Sequence, residues 1–168
     1  MVRILKRVVI LMKKVMFISS SGGHLNELLM LKDMFKKYDF QIVTENTPTN
    51  IGLKEKYGKK KVKFLIHATQ KNKLIYIFKL LINFFISLFY FIKFRPKVII
   101  STGAHTAGPM CCIGHIFGSK IIFIETFANS KSKSVTGSIV YKFADLFIVQ
   151  WESMLELYPN AVYGGWIY

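Results

Sequence analysis

The segment Val15-Met-Phe-Ile-Ser-Ser-Ser-Gly-Gly-His-Leu25 carries the clearest indication of the fold. Its apolar residues 15–18 predict a buried strand, the serines and glycines predict a turn, and a helix is predicted to begin near His24. Gly22 and Gly23 allow positive φ and a close approach of the backbone to a ligand. The amino terminus of the following helix favours a phosphate group. An ordinary strand–helix turn that binds nothing is the alternative interpretation.

A second stretch, Ile99-Ile-Ser-Thr-Gly-Ala-His-Thr-Ala-Gly-Pro109, repeats this design. It also reads as a strand, small residues, a glycine, a histidine and then a helix. Open parallel sheets bind ligands at the carboxyl ends of their strands. The two turns are therefore predicted to form one crevice at one edge of a sheet.

Strands and helices are predicted to alternate along the chain, with a short final helix ending near Leu157. The predicted strands lie at residues 15–18, 40–44, 62–67, 97–101, 120–124 and 146–149. The predicted helices follow His24 and cover residues 74–92, 106–117 and 135–143. This alternation predicts an α/β fold with a Rossmann-like, doubly wound parallel sheet, in one domain over residues 12–168.

The composition combines apolar character with positive charge. The 168 residues are 52% hydrophobic and 15% aromatic, and the formal net charge is +15. The charge favours an anionic partner, and the exposed apolar residues expected of such a chain suit a membrane surface better than nucleic acid. The adjacent Cys111 and Cys112 are interpreted as reduced core thiols of a cytosolic protein.

Residues 1–11 are basic and apolar, and no small-residue cleavage site follows them. They are interpreted as an amino-terminal extension, as the product of an upstream start codon, or as a short amphipathic anchor. The sequence does not separate these three interpretations.

The segment Leu74–Ile92 contains 19 almost wholly apolar residues. Lys79, Asn83 and Ser87 recur every four residues and therefore line one helical stripe. We expect this helix to pack on the sheet by one side and to enter the bilayer interface by the other. A fully buried core helix and a single membrane span are the alternatives. The predicted membrane contacts are Lys73, Phe78, Phe84, Phe85, Phe89, Phe91 and Lys93.

His24 and His105, one in each turn, are the main candidates for chemistry. Either imidazole could bind a diphosphate or a sugar hydroxyl, or act as a base near neutral pH. The alternative is a histidine that caps its own helix or bonds a neighbouring loop. Glu125 ends a buried strand on the ligand side, where a carboxylate is functional or forms a salt bridge with nearby lysines. Hydroxyl contacts to a ligand are predicted for Ser21, Thr102 and Thr106.

The sequence lacks the motifs typical of metal sites, of hydrolase and nucleotide-binding sites, and of nucleic-acid recognition. His24, His105, Cys111, Cys112 and His115 supply ligand types for zinc, but none of the usual spacings is present, so no metal is expected. No nucleophile elbow, Walker motif or complete dinucleotide fingerprint is visible. Nucleic-acid recognition is supported by charge alone, and we therefore expect no nucleic-acid partner.

These motifs together resemble the membrane-anchoring subunit family of two-component glycosyltransferases. That family includes the dolichol-pathway N-acetylglucosaminyltransferase anchor and bacterial capsule or exopolysaccharide proteins of the PssD, CpsF and EpsE type. The resemblance covers about residues 13–168 and extends remotely to the N-terminal half of MurG. The matching segments are residues 20–25, 95–105, 123–127, 134–137, 145–151 and 158–165.

The resemblance implies the N-terminal, acceptor-binding half of a GT-B enzyme divided over two chains. A partner chain would supply the C-terminal half and hold the UDP-sugar, so no cofactor is expected on this chain. The acceptor would be a polyprenyl-diphosphate-linked sugar at the cytoplasmic face of the membrane. Its diphosphate would contact Ser21 and the turns at Gly22, Gly23, Thr102, Gly103, His105, Thr106 and Gly108.

Two residues receive catalytic roles from this resemblance: His24 beside the acceptor hydroxyl, as its base, and Glu125 in the same crevice. Two alternatives differ in kind. The chain could be a non-catalytic anchor that activates a partner catalytic by itself, or a basic module that binds membrane or nucleic acid. Residues 1–11 are too short for the separate membrane helix of the eukaryotic anchors, so attachment is expected to rest on helix 74–92 and charge.

Overall fold

Seven parallel strands form one sheet in the computed structural model, which describes residues 13–69 and 72–167. The strand order is β3-β2-β1-β4-β5-β6-β7, so the direction of winding reverses between β1 and β4. The strands are β1 Lys14–Ser19, β2 Asp39–Glu45, β3 Val62–Leu65, β4 Val98–Gly103, β5 Lys120–Ile124, β6 Leu146–Val149 and β7 Val162–Tyr163. This confirms the predicted Rossmann-like fold class and places the two glycine turns side by side at the switch point.

Six α-helices and one 3₁₀ helix are found in the described ranges. They are α1 Gly23–Met30, α2 Lys32–Phe35, α3 Leu53–Tyr57, α4 Lys73–Phe94, α5 Ala107–Ile116, α6 Val135–Val140 and the 3₁₀ helix Glu152–Leu155. Most predicted elements are present, with bounds that differ by a few residues. The first predicted helix is divided at Leu31, and β7 was missed because two exposed residues carry no periodicity.

The core lies on both faces of the sheet. Alternate residues of β1 point to opposite faces, so Met16 and Ile18 pack with α4, α5 and α6, whereas Phe17 packs with α1, α2 and α3. Burial on both sides explains why the inner strands are continuously apolar rather than alternating. Gly114 in α5 permits close helix–sheet packing, because a Cβ there would collide with Ile99.

Helix α4 has its polar side against the protein and its apolar side outward. Asn83 and Ser87 are fully buried, whereas Phe78 and Phe85 are 66% and 60% exposed. Within residues 74–94, an 18-residue window reaches a mean hydropathy of 2.1, and the length and composition of the helix would suffice for a membrane span. This orientation agrees with the predicted stripe and contradicts the alternative of a fully buried core helix.

The buried polar side chains of α4 bind the backbone beside the edge strand β3. Asn83 accepts from the Ile66 amide and donates to its carbonyl, each at 2.8 Å. Tyr90 donates to the Phe64 carbonyl at 3.1 Å, and the Lys79 ammonium donates to the His67 carbonyl at 3.0 Å. These hydrogen bonds provide partners for the backbone amide and carbonyl groups at the end of β3, and they hold α4 beside the sheet.

Phe91 is a correction to the predicted membrane contacts. It is only 6% exposed and packs in the core, because it continues the inward stripe four residues after Ser87. Phe78, Phe84, Phe85, Phe89 and Lys93 are exposed as predicted. The side chain of Lys73 lies outside the described residues, as do residues 1–11 and their predicted extension or anchor.

The sheet topology also bears on the predicted alternative of a membrane span. β1 pairs with β2 on one side and with β4 on the other. If α4 crossed a membrane, the strands before it and the strands after it would lie on opposite sides of that membrane. The pairing of β1 with β4 forbids this arrangement. Helix α4 therefore lies along one side of the sheet and presents an apolar surface parallel to it.

Candidate functional site

The two glycine turns are bonded to each other at the carboxyl ends of β1 and β4. The Ser20 amide donates to the Gly103 carbonyl at 2.8 Å. The Ser20 hydroxyl lies 2.5 Å from that of Thr106 and accepts from the Ala104 amide at 3.2 Å. The turns thus form one connected structure, as the repeated design predicts.

His24, in the first turn of α1, contacts the opposite turn. Its Nδ1 lies 2.8 Å from the Thr102 carbonyl oxygen, and the Thr102 hydroxyl donates to the His24 carbonyl at 2.7 Å. A carbonyl oxygen only accepts, so Nδ1 carries the proton. The neutral ring then has its lone pair on Nε2, which is the form required of a base.

Gly103 determines how closely His24 approaches. Its φ is +91°, a conformation that side-chain-bearing residues rarely adopt. A Cβ at this position would lie 3.3 Å from Nδ1 of His24. Glycine at 103 therefore provides both the turn and the space for the imidazole.

His105, in the second turn, points instead toward the loop after β3. Its Nε2 lies 3.2 Å from the Ala68 carbonyl oxygen and 3.5 Å from Oε1 of Glu45. Oε2 of Glu45 is 2.9 Å from Nδ1 of His67. Neither Glu45 nor His67 was predicted from the sequence; a polar residue ending an apolar strand was the only available signal for Glu45.

The Glu45 carboxylate remains charged although it is buried. Burial alone would raise its pKa, but the nearby His105 imidazole and the hydrogen bonds from His67 and the Ser21 amide together lower the pKa to about 2. The Glu45 carboxylate, 3.5 Å from Nε2, raises the pKa of His105 against the effect of burial. The cluster is therefore an ionised carboxylate beside an imidazole that protonates more readily than usual.

The first turn has an accessible backbone. Gly22, at φ +85°, and Gly23 are both exposed, and a Cβ on either would meet no atom within 4 Å. Ser21 is held from behind, because its amide donates to Glu45 at 3.3 Å and its hydroxyl accepts from Asn50 at 2.8 Å. The open glycines thus lie at the amino end of α1, where a ligand can approach.

Thr102, Thr106 and Gly108 lie deeper than expected for ligand contacts. Both threonines are fully buried, and their hydroxyls bond to His24 and Ser20 respectively. Gly108 is half-buried, and a Cβ at this position would lie 3.6 Å from the Thr136 methyl group. Their contact with substrate stays a prediction, and the contacts present give the threonines a positioning role.

Glu125 is buried beneath the loop that follows β5. Its oxygens accept from the hydroxyls of Ser134 and Tyr158 at 3.0 and 2.9 Å and from the Thr126 amide at 3.2 Å. Burial raises the pKa of Tyr158, and the Glu125 charge raises it further. These partners are hydroxyls and an amide rather than the lysines considered above. The catalytic role of Glu125 stays a prediction.

Glu27 connects α1 to the same loop and was missed by the sequence reasoning. Its Oε1 accepts from the Thr126 hydroxyl at 2.8 Å and from the Phe127 amide at 3.0 Å. The helix that carries His24 is therefore fixed to β4 by Thr102 and to the β5 loop by Glu27.

Metal ligands do not converge in the described part of the chain, where no group of three or more His, Cys, Asp and Glu side chains is arranged to hold an ion. Cys111 is fully buried, and burial raises its pKa to about 12. Burial also raises the pKa of the half-buried Cys112. Both cysteines are free thiols. Cys111 is a core residue as predicted, whereas Cys112 is only half-buried and lies outside the core.

Several relatives of the chain carry the same name. The relative from Yarrowia lipolytica is named UDP-N-acetylglucosamine transferase subunit ALG14 and is 26% identical over 160 residues, covering 90% of this chain and 67% of its own. The human protein of that name is 23% identical, with 90% and 81% covered. The Kluyveromyces lactis protein is 38% identical over 81 residues, covering 42% of this chain but only 33% of its own.

Solved structures with the same fold are about twice as long. MurG from Acinetobacter baumannii superposes with a TM-score of 0.62 at 19% identity, covering 84% of this chain and 42% of MurG. UDP-N-acetylglucosamine 2-epimerase from Rickettsia bellii gives 0.65 at 15% identity, covering 90% and 43%. The family model described as "Oligosaccharide biosynthesis protein Alg14 like" matches residues 15–167, and the chain belongs to this Alg14-like family.

Proposed function

We propose that this chain is the acceptor-binding, membrane-associating subunit of a two-component glycosyltransferase. It would help transfer a sugar from a UDP-sugar to a polyprenyl-diphosphate-linked acceptor. The observation that carries the proposal is His24, whose Nδ1 is bonded to the Thr102 carbonyl at the switch-point crevice. That bond leaves Nε2 as a proton acceptor on the residue that follows the exposed Gly22 and Gly23.

The chemistry assigned to His24 is removal of the acceptor's hydroxyl proton. As Nε2 takes the proton, the acceptor oxygen forms a bond to the anomeric carbon of the donor sugar. The bond from that carbon to the diphosphate of UDP breaks, and UDP leaves with the electron pair. The imidazolium so formed keeps its Nδ1–H on Thr102, which holds the ring in place throughout.

A partner chain completes this proposed enzyme. The curated relatives are named as subunits of a UDP-N-acetylglucosamine transferase, and this chain covers 42% of MurG. We therefore assign the UDP-sugar to a partner with the C-terminal GT-B half. UDP-N-acetylglucosamine is the first donor to test, with UDP-glucose and UDP-galactose next. Lipid-linked oligosaccharide synthesis is the proposed setting, and capsule or exopolysaccharide synthesis stays a prediction of the sequence resemblance.

The outer face of α4 supports attachment to the membrane surface on the side where such an acceptor is found. Ile116 and Phe117, at the end of α5, are also exposed, and Phe117 lines one groove with the exposed Ile92 of α4. A basic groove borders the same helix, lined by Lys54, Lys59, Lys63 and Lys93. Burial, Lys93 and Lys54 together lower the pKa of Lys63, as expected of crowded cations that would be relieved by anionic headgroups.

The deciding experiment is a transfer assay with this chain alone, the partner alone and both together. Labelled UDP-N-acetylglucosamine, UDP-glucose and UDP-galactose are offered with a polyprenyl-diphosphate-linked sugar in nanodiscs. We expect transfer only when both chains are present. Transfer by the partner alone, merely increased by this chain, would contradict a base on His24 and establish the anchoring and activating alternative.

Liposome flotation tests the membrane surface separately. Replacing Phe78 and Phe85 with glutamate places two charges on the exposed face of α4, and we expect binding to anionic vesicles to fall at least about tenfold. Val135→Glu is the matched control, because Val135 is 81% exposed on α6. Equal loss of binding in both variants would show that added negative charge, rather than α4, causes the effect.

A further inference from the structure

A buried carboxylate between two histidines lies at the carboxyl ends of β2, β3 and β4, and the transfer step described above does not use it. Glu45 is 2% exposed. It accepts from Nδ1 of His67 at 2.9 Å and lies 3.5 Å from Nε2 of His105. Each imidazole therefore directs one ring nitrogen inward. Among residues 13–69 and 72–167, no hydrogen-bond partner is found for the other nitrogen, Nε2 of His67 or Nδ1 of His105, which can therefore contact a ligand.

The free nitrogens belong to accessible side chains. The side chains of His67 and His105 are 44% and 31% exposed, whereas that of Glu45 is 2% exposed. A ligand can thus contact the imidazoles without contacting the carboxylate. Protonation would turn each free nitrogen into an N–H donor and give the surface of the cluster a positive charge.

The other groups around the cluster do not oppose an anion. The Ser21 amide donates to Glu45, the Tyr76 ring lies 5.6 Å from that of His105, and the Lys79 ammonium donates to the His67 carbonyl. Glu45 is the one acidic group among these described contacts, and it is already bonded to His67. The surroundings therefore add one cation and no further negative charge.

The cluster also lies where a membrane-bound ligand would reach it. Tyr76 and Lys79 belong to the first two turns of α4, and the exposed apolar face of that helix begins at Leu74 and Ile75. Ser21 connects the cluster to the turn that carries Gly22 and His24. An anion between these groups would lie between the membrane-facing helix and the proposed base.

We propose that Glu45, His67 and His105 form a diphosphate-binding site, in which the two imidazoliums contact phosphate oxygens and Glu45 is the positioning residue. Recognition of a phosphate-class anion rests on the cluster itself. The choice of a lipid-linked diphosphate rests on the proposed function. Because the protonated His105 ring binds the anion, affinity should fall about tenfold or more as the pH rises through the raised pKa of His105.

Histidine-selective ¹⁵N NMR on the full-length chain in phosphatidylcholine nanodiscs tests this site, since the sequence has four histidines. Inorganic pyrophosphate is the probe. We expect the ring nitrogens of His67 and His105 to shift to the imidazolium pattern on binding. His115 is the internal control, because it lies at the other end of α5, where its ring packs against that of Phe143 with the centroids 4.7 Å apart. Unchanged His67 and His105 signals at saturating pyrophosphate would overturn the proposal.

Matched variants separate ligand contact from structural support. His67→Asn and His105→Gln each keep an amide donor toward the inner partner and lose the outer nitrogen, so each should weaken pyrophosphate binding about tenfold at neutral pH. Glu45→Gln should weaken it by a similar factor, and His115→Gln should bind like the wild type. Wild-type affinity in both His67→Asn and His105→Gln would overturn the proposal even if Glu45→Gln failed to fold.

The same NMR experiment with two nanodisc compositions distinguishes a lipid-linked diphosphate from an ordinary phospholipid headgroup. Nanodiscs that contain a polyprenyl diphosphate should shift His67 and His105, whereas nanodiscs that contain phosphatidylglycerol should not. A shift with phosphatidylglycerol alone would overturn the diphosphate assignment. Shifts with the polyprenyl diphosphate but no sugar transfer in the two-chain assay would uphold the site and contradict the proposed function.

Discussion

The turns at His24 and His105 share one sequence design but hold their histidines differently. In each turn a glycine with positive φ, Gly22 or Gly103, precedes the histidine by two residues. Helix α1 begins at Gly23, before its histidine, whereas α5 begins at Ala107, after it. One ring consequently faces the Thr102 carbonyl, and the other faces Glu45.

This difference in partner assigns different chemistry to the two rings. A carbonyl fixes the proton on one nitrogen and leaves the other with a lone pair, as a base requires. A buried carboxylate favours the doubly protonated ring, as an anion-binding cation requires. The surrounding backbone and the neighbouring strand, rather than the repeated motif, therefore determine what each histidine can do.

Among these predictions, the largest effect is expected for His24→Asn, which tests whether this ring is the base. The asparagine amide can still donate to Thr102, but the group that would accept the hydroxyl proton is lost. We expect kcat of the two-chain enzyme to fall by about 10²- to 10⁴-fold, with KM for the acceptor nearly unchanged. Steady-state kinetics and co-purification of the partner would be measured together. Loss of pairing along with turnover would mean that His24 is structural.

Alanine substitutions at the three glycines of the turns should lower the stability of the fold by different amounts. Gly103→Ala combines a strained φ with a Cβ 3.3 Å from His24, whereas Gly22→Ala has the strained φ and open space. We expect Gly103→Ala to lower the free energy of unfolding by about 2–3 kcal/mol and Gly22→Ala by about 1–2 kcal/mol. Gly23→Ala, at an ordinary φ in open space, is the control and should change it by less than about 1 kcal/mol.

Urea denaturation of the full-length chain in detergent would measure these differences. Equal destabilisation by Gly103→Ala and Gly22→Ala would show that backbone strain alone matters. The close approach of His24 to the second turn would then have no energetic role.

His105→Gln should affect binding rather than turnover. The glutamine amide can keep the inward hydrogen bond, but the outer nitrogen and its charge are lost. We expect KM for the polyprenyl-linked acceptor to rise about tenfold while kcat stays within about twofold of the wild type. A fall in kcat as large as that of His24→Asn would show that both rings take part in the chemical step.

Much of this arrangement was accessible from the sequence. Apolar runs and glycine turns predicted the strands, and the winding rule for parallel sheets placed Gly22 and Gly103 at one edge. The stripe Lys79, Asn83 and Ser87 correctly predicted the inward side of α4. The same four-residue spacing would also have placed Phe91 inward, so that signal was available and was missed.

Glu45 and Glu125 show where sequence reasoning ends. Both follow a buried strand at the ligand edge, so the pattern treats them alike. Glu45 meets two histidines from other strands, whereas Glu125 meets Ser134 and Tyr158 under a loop. Those partners are set by strand order and side-chain packing. His67 and His105 lie 22 and 60 residues from Glu45, and Tyr158 lies 33 residues from Glu125, so local patterns do not contain these contacts.

The last prediction concerns the pH dependence of stability, which distinguishes the surroundings of the two rings. The pKa of Glu45 is lowered from 4.5 to about 2, so its charge stabilises the fold above about pH 4.5 and this contribution is lost as the pH falls toward 2. The pKa of His105 is raised from 6.5, so its contribution is present below about pH 6.5 and lost as the pH rises through the raised value.

Glu45→Gln removes both contributions at once. The wild type should therefore exceed this variant in free energy of unfolding by about 1–3 kcal/mol between about pH 4.5 and about pH 6.5, and by less on either side. Urea denaturation at about pH 3, about pH 5.5 and about pH 8.5 would measure the difference. A difference that did not vary with pH would mean that Glu45 acts as a neutral hydrogen-bond acceptor. The two turns would then no longer differ in charge, and the assignment of His105 as a cation would lose its basis.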